Sequence, residues 1–282
     1  MTPAGVFDPF ILDARGVSHV GHVREENQDD YLVDAGAGLF AVADGVGGLK
    51  DGRHASRTVI EALTGLTGFS SLMEFRDTFD AGVTRANHAL RRFVRENGSA
   101  LGTTLAALLI HDQALLCAWA GDSRIYRLRD RALTLLTDDH TEAADLLRQG
   151  TLTPEEARVW PRRNVITRAI GVDDAVDLEY RSGSIQSGDI YLLCSDGLTT
   201  HLSDAEILSI LSGRSLDEAA EALIGATLRE GASDNVTVIL VGVRPASPLS
   251  ERREGLDKPA RGERPMREQT VQLALRKAHH GG

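Results

Sequence analysis

Apolar positions along this chain keep two rhythms. Some gather in short runs or alternate with polar residues and read as strands; others recur three and four apart and read as helices. The strand-like segments are Ile11–His19, Asp30–Asp34, Leu39–Ala43, Thr103–Ile110, Ala114–Ala120, Arg124–Arg129, Leu133–Leu136, Asp177–Ser182, Ile190–Cys194 and Val236–Val243. Several follow one another across short polar turns, as in "LGTTLAALLIHDQALLCAWAGDSRIYRLRDRALTLLT", which predicts a β-meander with antiparallel pairing. The helical rhythm is clearest over Leu72, Phe75, Phe79, Val83, Ala86, Leu90 and Val94, behind Ser71 and Glu74 spaced as a capping box. The same Ser-x-x-Glu spacing opens helices at Ser203–Glu206 and Ser215–Glu218, Pro154 follows Thr153 as a first helical residue, and a further helix starts near Gly52. Long helices beside antiparallel strands predict an α+β fold, two packed antiparallel sheets flanked by helices.

The pattern holds over residues 13–243 and fails on either side. Residues 1–12 read as an N-terminal extension. Residues 244–282 are rich in Arg, Pro, Glu and Gly, with eight Lys or Arg against five Asp or Glu after Arg244, a net charge of +3. Such a segment cannot bury enough apolar surface to order itself, and it reads as a flexible tail whose last stretch, "EQTVQLALRKAHH", could form a short helix. The 282-residue chain carries a formal charge of −10, with 42% hydrophobic and 26% charged residues, so its body is an acidic globular domain and not a general nucleic-acid binder. Its two cysteines, Cys117 and Cys194, sit in apolar runs and allow neither a disulfide framework nor a zinc cluster. No leader-like start and no span-length apolar stretch is present in the sequence, so a cytoplasmic protein without membrane contact is expected.

Charge changes the picture at the strand ends. "LFAVADGVGG" closes an apolar strand at Asp44-Gly45, "LLCAWAGDSR" at Gly121-Asp122 and "YLLCSDGL" at Asp196-Gly197; "GASDNVTVILVGV" sets Asp234-Asn235 just before a strand, and "VREENQDDYLV" does so with Asp29 and Asp30. One Asp-Gly at a strand end is ordinarily a turn. Repetition weakens that reading, because the shared feature is the carboxylate and not one turn type. Converging carboxylates repel unless protons or cations neutralise them. An all-oxygen set without a Cys–His cluster favours Mg²⁺ or Mn²⁺ over zinc, and the Gly45 carbonyl, with no side chain to shield it, could approach an ion closely. Two such ions sharing a carboxylate suit in-line attack of water on phosphorus, and Arg24 in "GHVREENQDD" could grip the phosphate.

The ordered series "GHVREENQDD", "AVADGVGG", "LGTTL", "AGDSRIYRL", "LTDDHT", "RRNVITRAIG", "YLLCSDGL" and "SDNVTV" resembles the metal-dependent serine/threonine protein phosphatases of type 2C in their bacterial form, over nearly the whole body. The resemblance implies a sandwich of two antiparallel sheets with the metals in a cleft at one edge. It implies that Asp44 bridges two ions, that the Gly45 carbonyl binds one, that Asp196 and Asp234 hold the other, and that Asp122 with Asp196 serves a weaker third. Arg24 would bind the substrate phosphate, and Gln28, Asp29 and Asn235 would support the ligands from outside. The stretch "LLRQGTLTPEEARVWPRRNVITRAIG" resembles the family's flap beside the cleft, expected to influence substrate choice.

Two positions depart from the family pattern. Gln28 stands where the family often has Glu, keeping an oxygen and losing a charge. Val46 follows Asp44-Gly45 where some members carry a proton-donating His, and His140 of "TDDHT" is a structural histidine unless it reaches the cleft. The resulting expectation is a monomeric phosphatase acting on phosphoserine and phosphothreonine in proteins and opposing a bacterial Ser/Thr kinase. The alternative is a silent, phosphoprotein-binding homologue, which the presence of Asp44, Asp196 and Asp234 disfavours. An aspartyl-phosphate mechanism would need Asp-x-Asp after the first strand, which is missing.

Overall fold

The computed structural model describes residues 5–7, 10–47 and 51–246. In chain order these form β1 (Gly5–Phe7), β2 (Phe10–His19), β3 (Asp29–Asp34), β4 (Leu39–Gly47), α1 (Asp51–Leu63), α2 (Leu72–Asn97), β5 (Leu101–Thr103), β6 (Leu105–His111), β7 (Ala114–Ala120), β8 (Arg124–Arg129) and β9 (Ala132–Leu135). There follow α3 (Glu142–Arg148), α4 (Pro154–Val159), β10 (Glu179–Ser184), β11 (Ile190–Cys194), α5 (Asp196–Thr199), α6 (Asp204–Leu211), α7 (Leu216–Arg229) and β12 (Val236–Pro245).

The strands make two antiparallel sheets. One runs β1-β2-β12-β11-β8-β9; the other runs β10-β7-β6-β4-β3, with β5 attached to the tip of β4. Both faces of the central strands are buried, and successive side chains alternate between them. In β12, Ile239, Val241 and Val243 point between the sheets while Val236, Val238 and Leu240 meet the helices. In β4, Phe40 and Val42 face inward while Leu39, Ala41 and Ala43 lie under α1 and α2. The result is four layers, helix–sheet–sheet–helix, as the sequence predicts.

The boundaries differ in instructive ways. β4 does not end at Ala43 but continues through Asp44 and Gly45 to Gly47, held by β5 through the Gly45↔Thr103 pair. The expected strand Thr103–Ile110 is broken at Thr104, which turns its polar groups toward Asp44. The expected strand Asp177–Ser182 is shifted to Glu179–Ser184, and α3 and α5 have no counterpart in the sequence reading. β1 pairs with β2 inside the segment expected as an extension. The capping boxes at Ser203, Ser215 and Thr153 form in full. At Ser71 only half does: its hydroxyl accepts from the Glu74 N–H, but the Glu74 carboxylate accepts from the N–H and hydroxyl of Ser70 instead. The tail expected over residues 244–282 begins later than that, because Arg244 and Pro245 continue β12 and pair with Ile11 and Phe10; the rest of the expectation, residues 247–282, lies outside those described. Among the described residues no helix is long and apolar enough to cross a membrane.

Candidate functional site

Antiparallel pairing gathers the carboxylates. β11 runs out at the edge where its neighbours β12 and β8 begin, since Cys194 pairs with both Val238 and Arg124. Asp196 therefore leaves one strand where Asp234 enters the next and Asp122 precedes the third. In the other sheet Asp29 opens β3 directly opposite Asp44 on β4. Five carboxylates from separate parts of the chain thus share one edge of the sandwich: Asp29 and Asp44 each feel two or more of the others, and Asp122 feels Asp196.

Glycines let these elements close on one another. A Cβ on Gly197 would lie 1.9 Å from the Asn235 carbonyl, so only glycine lets the start of α5 press against the loop bearing Asp234. A Cβ on Gly45 would lie 2.0 Å from the Gly52 carbonyl, so the strand carrying Asp44 packs backbone-to-backbone on α1. The Gly45 N–H donates to the Gln28 carbonyl at 3.2 Å, tying this strand to the Arg24–Asp29 segment.

Each carboxylate has a defined setting. The Asp44 N–H donates to Thr104 Oγ1 at 3.0 Å, and its carbonyl accepts from the Thr104 N–H and the Thr103 hydroxyl, both at 2.9 Å. Thr104 in turn meets the Ser123 hydroxyl at 2.7 Å. Asp29 Oδ2 accepts from Ser195 at 2.8 Å and Thr237 at 2.7 Å, while its Oδ1 is buried with no hydrogen-bond partner. Asp234 Oδ1 accepts from the Asn235 N–H, and its Oδ2 from Arg24 Nη2 at 2.6 Å. The Asn235 side chain is engaged by the Gln28 N–H and the carbonyls of Val20 and Glu26, so it pins the loop that carries Arg24. The Gln28 side chain lies against Gly52, beside Gly45.

Electrostatics follow from crowding at a partly buried edge. Burial, then the charges of Asp29, Asp196, Asp122 and Asp234, pushes the Asp44 carboxyl well above the usual range. Burial lifts Asp29 to about 7 despite its two hydroxyl partners, and lifts Asp122 to about 8 with Asp196 and Asp139 adding to it. Asp196 is also raised, by burial and then Asp234, with the neighbouring Asp44 and Arg24 pulling the other way. The Arg24 guanidinium is raised chiefly by its bond to Asp234.

This setting fits hard cations. Every group is an oxygen donor, the carboxylates lack basic neighbours enough to neutralise them, and Asp29 Oδ1 is a buried acceptor without a donor. Among the described residues no three Asp, Glu, His or Cys side chains lie within ligating distance of one point. Asp234 is paired with Arg24.

Sequence reasoning missed the hydroxyls of Thr103, Thr104, Ser123, Ser195 and Thr237, all buried. The available signal was a polar residue inside or abutting an apolar run, as in "NVTVILV" and "LLCSDG". His140 does not reach the cleft. It is buried, its Nδ1 accepts from the Gly121 N–H at 3.2 Å, and its Nε2 meets Glu179 at 2.9 Å.

A family model for protein phosphatase 2C matches residues 15–234. The serine/threonine protein phosphatase PstP of Mycobacterium tuberculosis is 40% identical over 236 residues, which cover 83% of this chain and 45% of PstP. The chain therefore spans about half the length of that relative. Protein phosphatase PhpP of Streptococcus pneumoniae is 35% identical over 235 residues, covering 80% of this chain and 96% of PhpP. The crystal structure of the PstP catalytic domain in complex with 2 manganese ions superposes with a TM-score of 0.75 at 37% identity, over 83% of this chain and 99% of that one.

Proposed function

The chain belongs to the protein phosphatase 2C family, and from that premise we propose that it hydrolyses phosphoserine and phosphothreonine in proteins. The observation that carries the reading is the meeting of Asp29, Asp44, Asp122, Asp196 and Asp234 at one edge of the sandwich, with Arg24 seated on Asp234.

Asp44 and the Gly45 carbonyl would hold one divalent ion, and Asp44 with Asp196 and Asp234 the second; Asp122, with Asp196, would hold a third less tightly. The manganese in the PstP structure supports Mn²⁺, and the all-oxygen donors suit Mg²⁺ equally. When bound, such ions supply Lewis acidity to a water and to the phosphoryl oxygens. The residues supply the rest. Arg24 spends one N–H on Asp234 and keeps the other donors of its fork for the substrate phosphate. Thr103 and Thr104 fix Asp44, while Ser195 and Thr237 fix Asp29. Gln28 and Asn235 hold the Arg24 loop against Gly45 and Asp234. Val46 has no proton to give and His140 is engaged elsewhere, so the leaving alcohol takes its proton from water. No side chain becomes phosphorylated.

A protein of this activity reverses a kinase that places phosphate on Ser or Thr from cytoplasmic ATP, so its partners are phosphoproteins and a bacterial Ser/Thr kinase. The test is phosphate release from a phosphothreonine peptide with Mn²⁺, with Mg²⁺ and with EDTA, beside Asp44→Asn. Metal-dependent release that the substitution abolishes is expected. Folded protein that releases nothing under either metal would overturn the reading in favour of a silent phosphoprotein binder.

A further inference from the structure

Beside Asp122 and Asp196 a groove of about 490 Å³ opens beneath the stretch between Thr141 and Ile170. One wall is acidic or neutral: Asp122, Asp196, the hydroxyls of Thr199 and Thr200, and Asp139 bound two-pronged by Arg124 at 2.8 and 2.7 Å. The other wall carries Arg158, from α4, and Arg163 and Asn164, from the loop that follows.

The arginines of this stretch divide by direction. Arg148 pairs with Asp145, Arg162 with Glu142 at 2.9 Å, and Arg168 with Asp177 and Glu179 at 3.2 and 3.5 Å. Arg158 and Arg163, which line the groove, are exposed and have no acidic partner among the described residues. Exposed, unpaired arginines also occur elsewhere, such as Arg92 and Arg95 on α2, but they line no groove shared with the carboxylate cluster.

The segment that presents the two arginines is braced. The Thr141↔Ile166 bridge closes its base, and the Glu142 N–H donates to the Val165 carbonyl at 2.9 Å. Trp160 Nε1 donates to Glu142 at 3.0 Å, and the Arg163 N–H to the Trp160 carbonyl at 3.1 Å. Two unneutralised guanidinium groups are thus held over a polar channel that leads from the cluster.

The geometry points to this groove as the reader of a second anionic group on the substrate, an acidic side chain or a further phosphate flanking the phosphorylated residue that is cut. The inference rests on the phosphatase reading and deepens it. An extended peptide advances about 3.3 Å per residue, so an anion one to three residues from the scissile phosphate falls within a groove of this size. Arginine forks suit both carboxylate and phosphate. The Asn164 amide and the two threonine hydroxyls can complete the hydrogen bonds of either anion.

The experiment compares three phosphothreonine peptides: one with neutral flanks, one with glutamate at the flanks, and one with a second phosphothreonine. Each is assayed with Mn²⁺ on the unaltered protein and on the double variant Arg158→Gln/Arg163→Gln. The expected ratio of kcat/KM, anionic over neutral, is about tenfold for the unaltered protein and about twofold or less for the variant, with the change in KM and weakened by salt. A preference for the doubly phosphorylated peptide alone assigns the groove to phosphate; a preference for both peptides assigns it to anions in general. A flat ratio in the unaltered protein, or a ratio that survives the double substitution, overturns the inference. Hydrolysis of p-nitrophenyl phosphate by the unaltered protein reports the phosphatase reading separately. Fluorescence anisotropy of the same peptides on Asp44→Asn reports the groove without turnover, so an inactive enzyme still tests it.

Discussion

Strand β11 carries an aspartate just beyond each end, and the two live in opposite worlds. Asp189, before Ile190, is 1% exposed and fully matched. Arg129 grips both its oxygens at 2.7 Å, and the Gln186 N–H and Tyr191 hydroxyl donate at 2.8 and 2.9 Å. Burial alone would raise its carboxyl, but these donors hold it below the ordinary range. Asp196, after Ser195, has Asp44 and Asp234 for neighbours and is raised. The strand between them is the same rigid, buried apolar run. One end uses a carboxylate to lock the fold. The other assembles charges that the described residues leave short of counter-charge, which suits cations and phosphate.

The same change at both ends should therefore separate function from stability. Asp196→Asn is expected to reduce kcat/KM on a phosphothreonine peptide by roughly 10³-fold, with an unchanged or higher melting temperature in EDTA because a repelling charge is gone. Asp189→Asn is expected to lower stability by about 2–3 kcal/mol in urea unfolding, since it breaks a buried charge-assisted pair, and to keep activity at temperatures where the protein is folded. Activity in Asp196→Asn near that of the unaltered protein would remove the functional end of the comparison. An unmoved urea midpoint in Asp189→Asn would remove the structural end.

The two ends also predict opposite responses to pH. Asp29 and Asp122 have folded values of about 7 and 8, above the roughly 3.9 of an unfolded aspartate. A raised carboxyl binds its proton more tightly in the folded state, so folding loses stability as pH rises from about 4 through the folded values. Asp189 is depressed and acts in reverse: its contribution is present above the unfolded value and is lost as pH falls through the folded one. Between pH 5.5 and 8.5 only the site end titrates. In EDTA the melting temperature is expected to fall by roughly 10 °C over that interval, and excess Mn²⁺ should abolish the fall. A melting temperature that is flat or rising in EDTA would show that the cluster is neutralised by other means.

The layers were legible because strand periodicity and helix capping are local signals, and ten apolar runs supplied nearly all the strands. The converging carboxylates were legible because each stands at the edge of such a run. What escaped depends on partners distant in sequence. Nothing near Asp44 says that β4 continues past it, because β5, over fifty residues on, supplies the pairing. Glu74 found Ser70 and not Ser71 because an extended N-terminal turn offers both donors to one carboxylate. The hydroxyls around Asp29 come from the ends of β11 and β12, and only the assembled sheet brings them to β3.

The smallest expected effect tests whether the site end is as firmly positioned as the structural end. Thr104 is 1% exposed and its hydroxyl accepts the Asp44 N–H while meeting Ser123. Thr104→Val keeps the shape of the side chain and leaves that N–H and the Ser123 hydroxyl without a partner, a cost of about 1 kcal/mol. If the hydroxyl serves stability alone, the melting temperature drops by roughly 3 °C and the Mn²⁺ concentration for half-maximal activity stays put. If it positions Asp44, that concentration rises severalfold as well, because a carboxylate free to shift holds an ion less well. Thr104→Ser restores the acceptor and should restore the manganese requirement even where the lost methyl keeps the melting temperature low. Separation of those two readouts in the serine variant is what a positioning role requires, and their moving together would reduce Thr104 to a packing residue.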